Sequence, residues 1–140
     1  MSERDGGAQQ YAITVTVPRP FTETLSATRQ ALAEKGFGIL TEIDMQGTLK
    51  AKLDVGIAAQ VILGACRPAL AYAALQAESS IGLLLPCNVV VRSLDEGHTR
   101  VEALDPDLMV TLTGNPGLAA VAADARTRLL AALDSLQHSD

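Results

Sequence analysis

Three observations predict an α+β fold. Apolar residues recur at period two in some stretches and near period 3.6 in others, so strands and helices both occur. Residues 88–94 and 99–104, joined by the turn Asp95-Glu-Gly-His98, form a strand–turn–strand unit that requires antiparallel pairing. The elements also do not alternate regularly, as a parallel α/β sheet would require. The expected architecture is a sheet that is antiparallel at least in part, with helices packed on one face.

Residues 1–10 are polar, carry Gly6-Gly7, and are expected to form a frayed tail. A single domain is expected over residues 11–136. Tyr11, Ile13, Val15 and Val17 alternate with Ala12, Thr14 and Thr16, which is a strand with one apolar face. Pro18 and Pro20 end it. Residues 22–35 follow as a helix, with Phe21, Leu25 and Leu32 near helical spacing and Gly36 as its stop. Residues 37–44 are a second strand. Residues 45–53 are a short helical or turn segment carrying Lys50 and Lys52. Residues 59–65 form an almost wholly apolar strand, buried on both faces or on one face plus a dimer contact.

Pro68 suits the first turn of a helix over residues 68–77, because its missing N–H is one a helix start leaves unbonded. The hairpin follows. Asp105-Pro106 interrupts the chain, and residues 108–113 are expected to be a further strand or extended segment. Asn115, Pro116 and Gly117 open the last helix. Leu118, Ala122, Ala125, Leu129, Ala132 and Leu136 recur at spacings of three and four and make one apolar stripe. Residues 137–140 are expected to fray.

Composition narrows the function. The 140 residues carry a net charge of −5 and no basic run. Nucleic-acid binding depends on cations that displace phosphate counterions, so this charge disfavours it, and anionic membranes equally. No apolar run approaches the ~18–20 residues of a membrane span. The polar start has no apolar segment of signal-peptide type. A cytoplasmic location is expected, with both cysteines as reduced thiols. Aromatics make up only 3% of the chain, leaving few rings for stacking on bases or sugars.

The chain has two cysteines, each beside or near a proline. Cys66 stands at the mouth of the helix that Pro68 opens, where the helix dipole favours a thiolate, with Arg67 adjacent. It is either a nucleophilic or metal-binding thiol or a small buried apolar residue. Cys87, between Pro86 and Asn88, has apolar neighbours that would raise its pKa. Both lie at strand ends and so can meet at one edge of the sheet. Two thiols alone are an incomplete zinc site. His98, in the turn, and His138, in the tail, are expected to be solvated. Glu42 and Asp44 share one strand face, as a paired carboxylate site or as solvated acids neutralised by Lys50 and Lys52. Asn88 offers an amide for orienting a ligand, or simply starts its strand. Phosphate-loop, dinucleotide and serine-hydrolase motifs are all missing.

The segments GFGILTEIDMQGTLKAKL, ILGACRPALAYAALQAE and IGLLLPCNVVVR resemble, in order and spacing, the domain of unknown function 302 family of small bacterial and archaeal proteins. The resemblance covers residues 15–110. Gly64, Ala65, Cys66 and Pro68 match one block, Leu85, Pro86, Cys87 and Asn88 another, and Glu42, Asp44 and Lys50 the first. The chain departs at Arg67, where many relatives carry asparagine. The resemblance implies an architecture like that of the TATA-binding-protein group, a curved antiparallel sheet with helices on one side, and a tendency to form homodimers. It implies no reaction.

Four functions follow as expectations. The leading one is a dimeric ligand-binding or sensing module, with a pocket formed by Cys66, Pro68, Cys87 and Asn88 and with Glu42 among its ligand-binding residues. The second is a thiol-dependent enzyme or redox protein with Cys66 as nucleophile and Cys87 as second thiol, whose Cα atoms would lie about 4.4 to 6.8 Å apart if bridged. The third is a metal-binding module using both thiols and a carboxylate such as Glu42. The fourth is a structural module whose strand over residues 59–65 pairs across a dimer. No cofactor is named by the sequence.

Overall fold

The computed structural model describes residues 11–138; both the tail expected over residues 1–10 and residues 139–140 lie outside it. In chain order the elements are β1 (Ala12–Val17), α1 (Phe21–Glu34), β2 (Gly38–Asp44), α2 (Met45–Leu53), β3 (Gln60–Cys66), α3 (Pro68–Ala77), β4 (Cys87–Asp95), β5 (His98–Leu104), α4 (Leu108–Thr113) and α5 (Ala119–Gln137). Single 3-10 turns, Ile81–Leu84 and Pro116–Leu118, precede β4 and α5.

The five strands form one antiparallel sheet in the order β1-β5-β4-β3-β2. The edges are therefore β1 and β2, and α1 carries the chain from one edge to the other. Register decides which side chains face the helices. Val61, Leu63 and Ala65 of β3 align with Val91, Val89 and Cys87 of β4, and Val89 and Val91 align with Ala103 and Val101 of β5. All but Cys87 of these are fully or almost fully buried, and they pack with Leu32 of α1 and Leu129, Leu133 and Leu136 of α5. The alternate residues, including Ile62, Val90 and Glu102, are only half-buried on the other face. The α+β class, the antiparallel sheet and the helices on one face are as the sequence predicts.

Local chemistry explains the boundaries. Gly36 adopts φ +88°, and the backbone N–H groups of Gly36 and Phe37 close the end of α1 on Ala33 and Leu32. The Asp44 carboxylate accepts from the Gly47 N–H at 2.9 Å and caps α2. Pro68 is the first residue of α3, as expected. Asn115 caps the turn into α5 by accepting from the Gly117 N–H at 2.8 Å.

Two expectations are corrected. Residues 108–113 are helical, not extended: Asp105 and Pro106 form a helix start, their carbonyls accepting from the Leu108 and Met109 N–H groups, and Gly114 at φ +66° ends the helix. Gln137 also belongs to α5 rather than to a frayed end, because Leu136 is buried in the core and holds the last turn.

Candidate functional site

The two cysteines come together. β3 ends at Cys66, and Cys87, first residue of β4, stands directly opposite Ala65. Both thiols, half-buried and unbonded, line one cavity of about 20 Å³ beneath α3 and α5. That is room for about one water. Its walls are largely apolar, with Phe37, Leu70, Ala74 and Met109 among them. Burial pushes the Cys87 thiol up to about 11, and the nearby Cys66 adds to the shift. At neutral pH Cys87 is therefore a neutral thiol and a poor resolving nucleophile.

Arg67 lines the same cavity. Its guanidinium reaches Asp124 of α5 at 3.9 Å, and Asp124 is also held by Arg128 at 3.3 Å. Arg128 in turn donates to the Lys35 carbonyl at 3.2 Å. A Cβ on Gly36 would lie 2.9 Å from the Arg67 Nε, so glycine there both frees the backbone and makes room for this side chain. Pro68, by contrast, is exposed. It starts the helix and does not line the cavity.

The remaining candidates lie elsewhere. Asn88 aligns with Gly64, which places it on the sheet face opposite the helices. There it lines a groove of about 370 Å³ with Tyr11, Val90, Arg92, Glu102 and Leu104. Asn88 directly follows Cys87 in β4, and strand alternation sends them to opposite faces. A single pocket containing Cys66, Cys87 and Asn88 is therefore corrected to two sites. Arg92 donates to Glu102 at 3.0 Å across the groove.

Glu42 sits on the helix face of β2 and forms a two-pronged pair with Arg29 of α1, at 2.6 and 3.0 Å. Lys50 pairs with Asp54 at 2.6 Å, so the expected neutralisation of Glu42 and Asp44 by Lys50 and Lys52 is corrected to Arg29 for Glu42 and a helix-capping role for Asp44. Among the described residues no three of His, Cys, Asp or Glu gather as a metal site, so Glu42 does not complete one with the thiols. His98 and His138 are exposed and lie beside Asp95 and Asp134. The His98 side-chain hydrogen bond is the main reason the Asp95 carboxyl lies below its ordinary value.

Three site residues escaped the sequence reading. Arg92 and Glu102 face each other diagonally across β4 and β5, and only the register reveals it. Met109 belongs to the segment read as extended. The Asp105-Pro106 pair ahead of it carries a helix-start signal that could have found it.

Fold and site together define a class: a small antiparallel α+β protein with helices on one face, a sulfur-lined cavity at one end and an open sheet face. The chain belongs to the domain of unknown function DUF302 family, whose pattern matches residues 13–136, beyond both ends of the resemblance seen in the sequence. It is similar to the crystal structure of an uncharacterized conserved DUF302 protein from Bacillus stearothermophilus, with a TM-score of 0.82 and 31% identity over 90% of this chain and 98% of that one. No curated protein matches the chain. Among the described residues no helix is long and apolar enough to cross a membrane.

Proposed function

We propose that the protein is a small-molecule binding module whose ligand lies on the open face of the sheet, over Asn88, Val90 and Arg92. One observation carries this reading: the groove there joins about 370 Å³ to a chiefly apolar floor, whereas the cysteine cavity has about 20 Å³ and the surface groove of about 430 Å³ along α1 is lined mainly by polar side chains. Small-molecule sites commonly span roughly 300–1,000 Å³. Val90 and Leu104 provide an apolar floor, with Arg92, Glu102 and Asn88 as the few polar groups. The Arg92 guanidinium stands at the polar end of this floor, where it can meet an anionic group, and favours a compact organic ligand that joins such a group to an apolar body.

The test is calorimetric titration with 8-anilinonaphthalene-1-sulfonate, one anionic group on an apolar frame. Binding at one site per chain is expected. Val90→Trp, which fills the groove, should abolish it, and Arg92→Gln should weaken it, with circular dichroism unchanged. Equal binding by both variants would overturn the reading.

A homodimer and a cytoplasmic location belong to the same proposal. Exposed Leu53, Val55 and Ile57 on the arm between β2 and β3 support the first, and two unbonded thiols suit a reducing compartment. The thiol-enzyme alternative loses support because Cys87 stays protonated at neutral pH. The structural alternative cannot use β3 across a dimer, since β2 and β4 already occupy both its edges.

A further inference from the structure

Three sulfur-bearing side chains, Cys66, Cys87 and Met109, line the cavity at the end of β3. They come from three different elements: β3, β4 and α4. The cavity has the size of one water but not its chemistry, because a buried water needs about two to four polar partners and these walls are chiefly apolar. The donor set is equally specific. Calcium and magnesium take oxygen ligands. Structural zinc takes four ligands and catalytic zinc three plus water, and no third His, Cys, Asp or Glu joins the thiols among the described residues. Thiolate and thioether together select soft ions such as Cu(I).

We propose that Cys66, Cys87 and Met109 form a binding site for a single soft monovalent metal ion of the Cu(I) type. Both thiols give up their protons to solvent, two sulfur–metal bonds form, and the ion keeps its oxidation state. The thioether adds a neutral third donor. The resulting bis-thiolate complex carries one negative charge, and Arg67, lining the same cavity, supplies a positive charge against it. Metal coordination deprotonates a thiol outright, so the burial that keeps Cys87 neutral does not prevent loading.

The test uses the reduced full-length protein, titrated anaerobically with Cu(I) against the chromophoric chelator bicinchoninate. One ion per chain is expected, with an all-sulfur first shell by X-ray absorption. Met109→Leu should weaken binding about 10-fold and Cys66→Ser more than about 100-fold, measured against the roughly 10- to 100-fold loss typical of outer-shell partners. Cys66 is half-buried, so its serine variant should keep the wild-type melting curve, which separates lost ligation from lost folding. Val90→Trp, on the opposite face, should leave the titration unchanged. No uptake above the chelator would overturn the proposal. So would equal uptake by Cys66→Ser and Met109→Leu, or Zn(II) held as tightly as Cu(I).

Discussion

Cys87 pairs with Ala65 across β3 and β4, and this register brings it to the cavity that Cys66, the next residue of β3, also lines. The two thiols share one apolar space because β3 ends and β4 begins at the same end of the sheet. The same register turns Asn88 to the opposite face, beside Arg92 and Glu102. One step along β4 thus divides a narrow sulfur-lined cavity from an open groove with an apolar floor.

Cys87 should make stability depend on alkaline pH. Its pKa rises from 9.0 in the unfolded chain to about 11 in the fold, chiefly through burial. Its contribution is therefore complete below about 9.0 and is lost as pH climbs through about 11. The loss is about 2 to 3 kcal/mol. Urea unfolding of the wild type and of Cys87→Ala, compared at several pH values between 8 and 12, measures it as a difference. A constant difference across that range would show that Cys87 ionises as freely in the fold as outside it.

Glu42 should prove structural, and weakly so. Its pair with Arg29 is two-pronged, but both side chains are about two-fifths exposed. Exposed pairs contribute roughly 0.2–1 kcal/mol. Glu42→Gln is expected to cost no more than that in urea unfolding, with Cu(I) and anilinonaphthalene sulfonate titrations unaltered. A large loss of either binding activity would return Glu42 to a site.

The sequence made some of this legible and hid the rest for identifiable reasons. The alternation from Ile13 to Val17 and the stripe from Leu118 to Leu136 each repeat often enough to reveal their period, and both bury the faces they predict. The cysteine pairing was visible because both residues sit at strand ends beside turn signals. In α4, six residues are too few to show a helical period, and Val110, Thr111 and Thr113 favour strands. Missing that helix hid Met109. Arg29 and Glu42 meet across a helix and an edge strand, a contact with no local signature. Asn88 is separated from Cys87 by parity alone, since consecutive residues of one strand face opposite ways and so cannot share a pocket.

Gly64 should tolerate no side chain. It lies on the open face of β3, where a Cβ would fall 2.9 Å from Pro86 Cγ and closer still to the Thr41 hydroxyl. Overpacking of this kind costs roughly 1–3 kcal/mol. Gly64→Ala is expected to lose that much in urea unfolding. Adding Thr41→Ala should recover part of the loss but not all, because Pro86 remains. Full stability in Gly64→Ala alone would mean that the two neighbours yield without cost.

The arm formed by α2 tests the proposed dimer. None of its nine residues is buried, and isolated helices shorter than about 12–15 residues are marginal. It is held by the Asp44 cap, the Lys50–Asp54 pair and its attachment to β2 and β3. In dilute protein its amides should exchange with solvent far faster than those around Leu129 and Leu133 in α5, which anchor the core. If a second copy covers Leu53, Val55 and Ile57, protection of α2 should rise with protein concentration while that of α5 stays constant. Leu53→Glu should remove the concentration dependence without changing α5. Slow exchange in α2 at the lowest concentration, persisting in Leu53→Glu, would show that the arm is stabilised within one chain and would remove the support for a dimer through this surface.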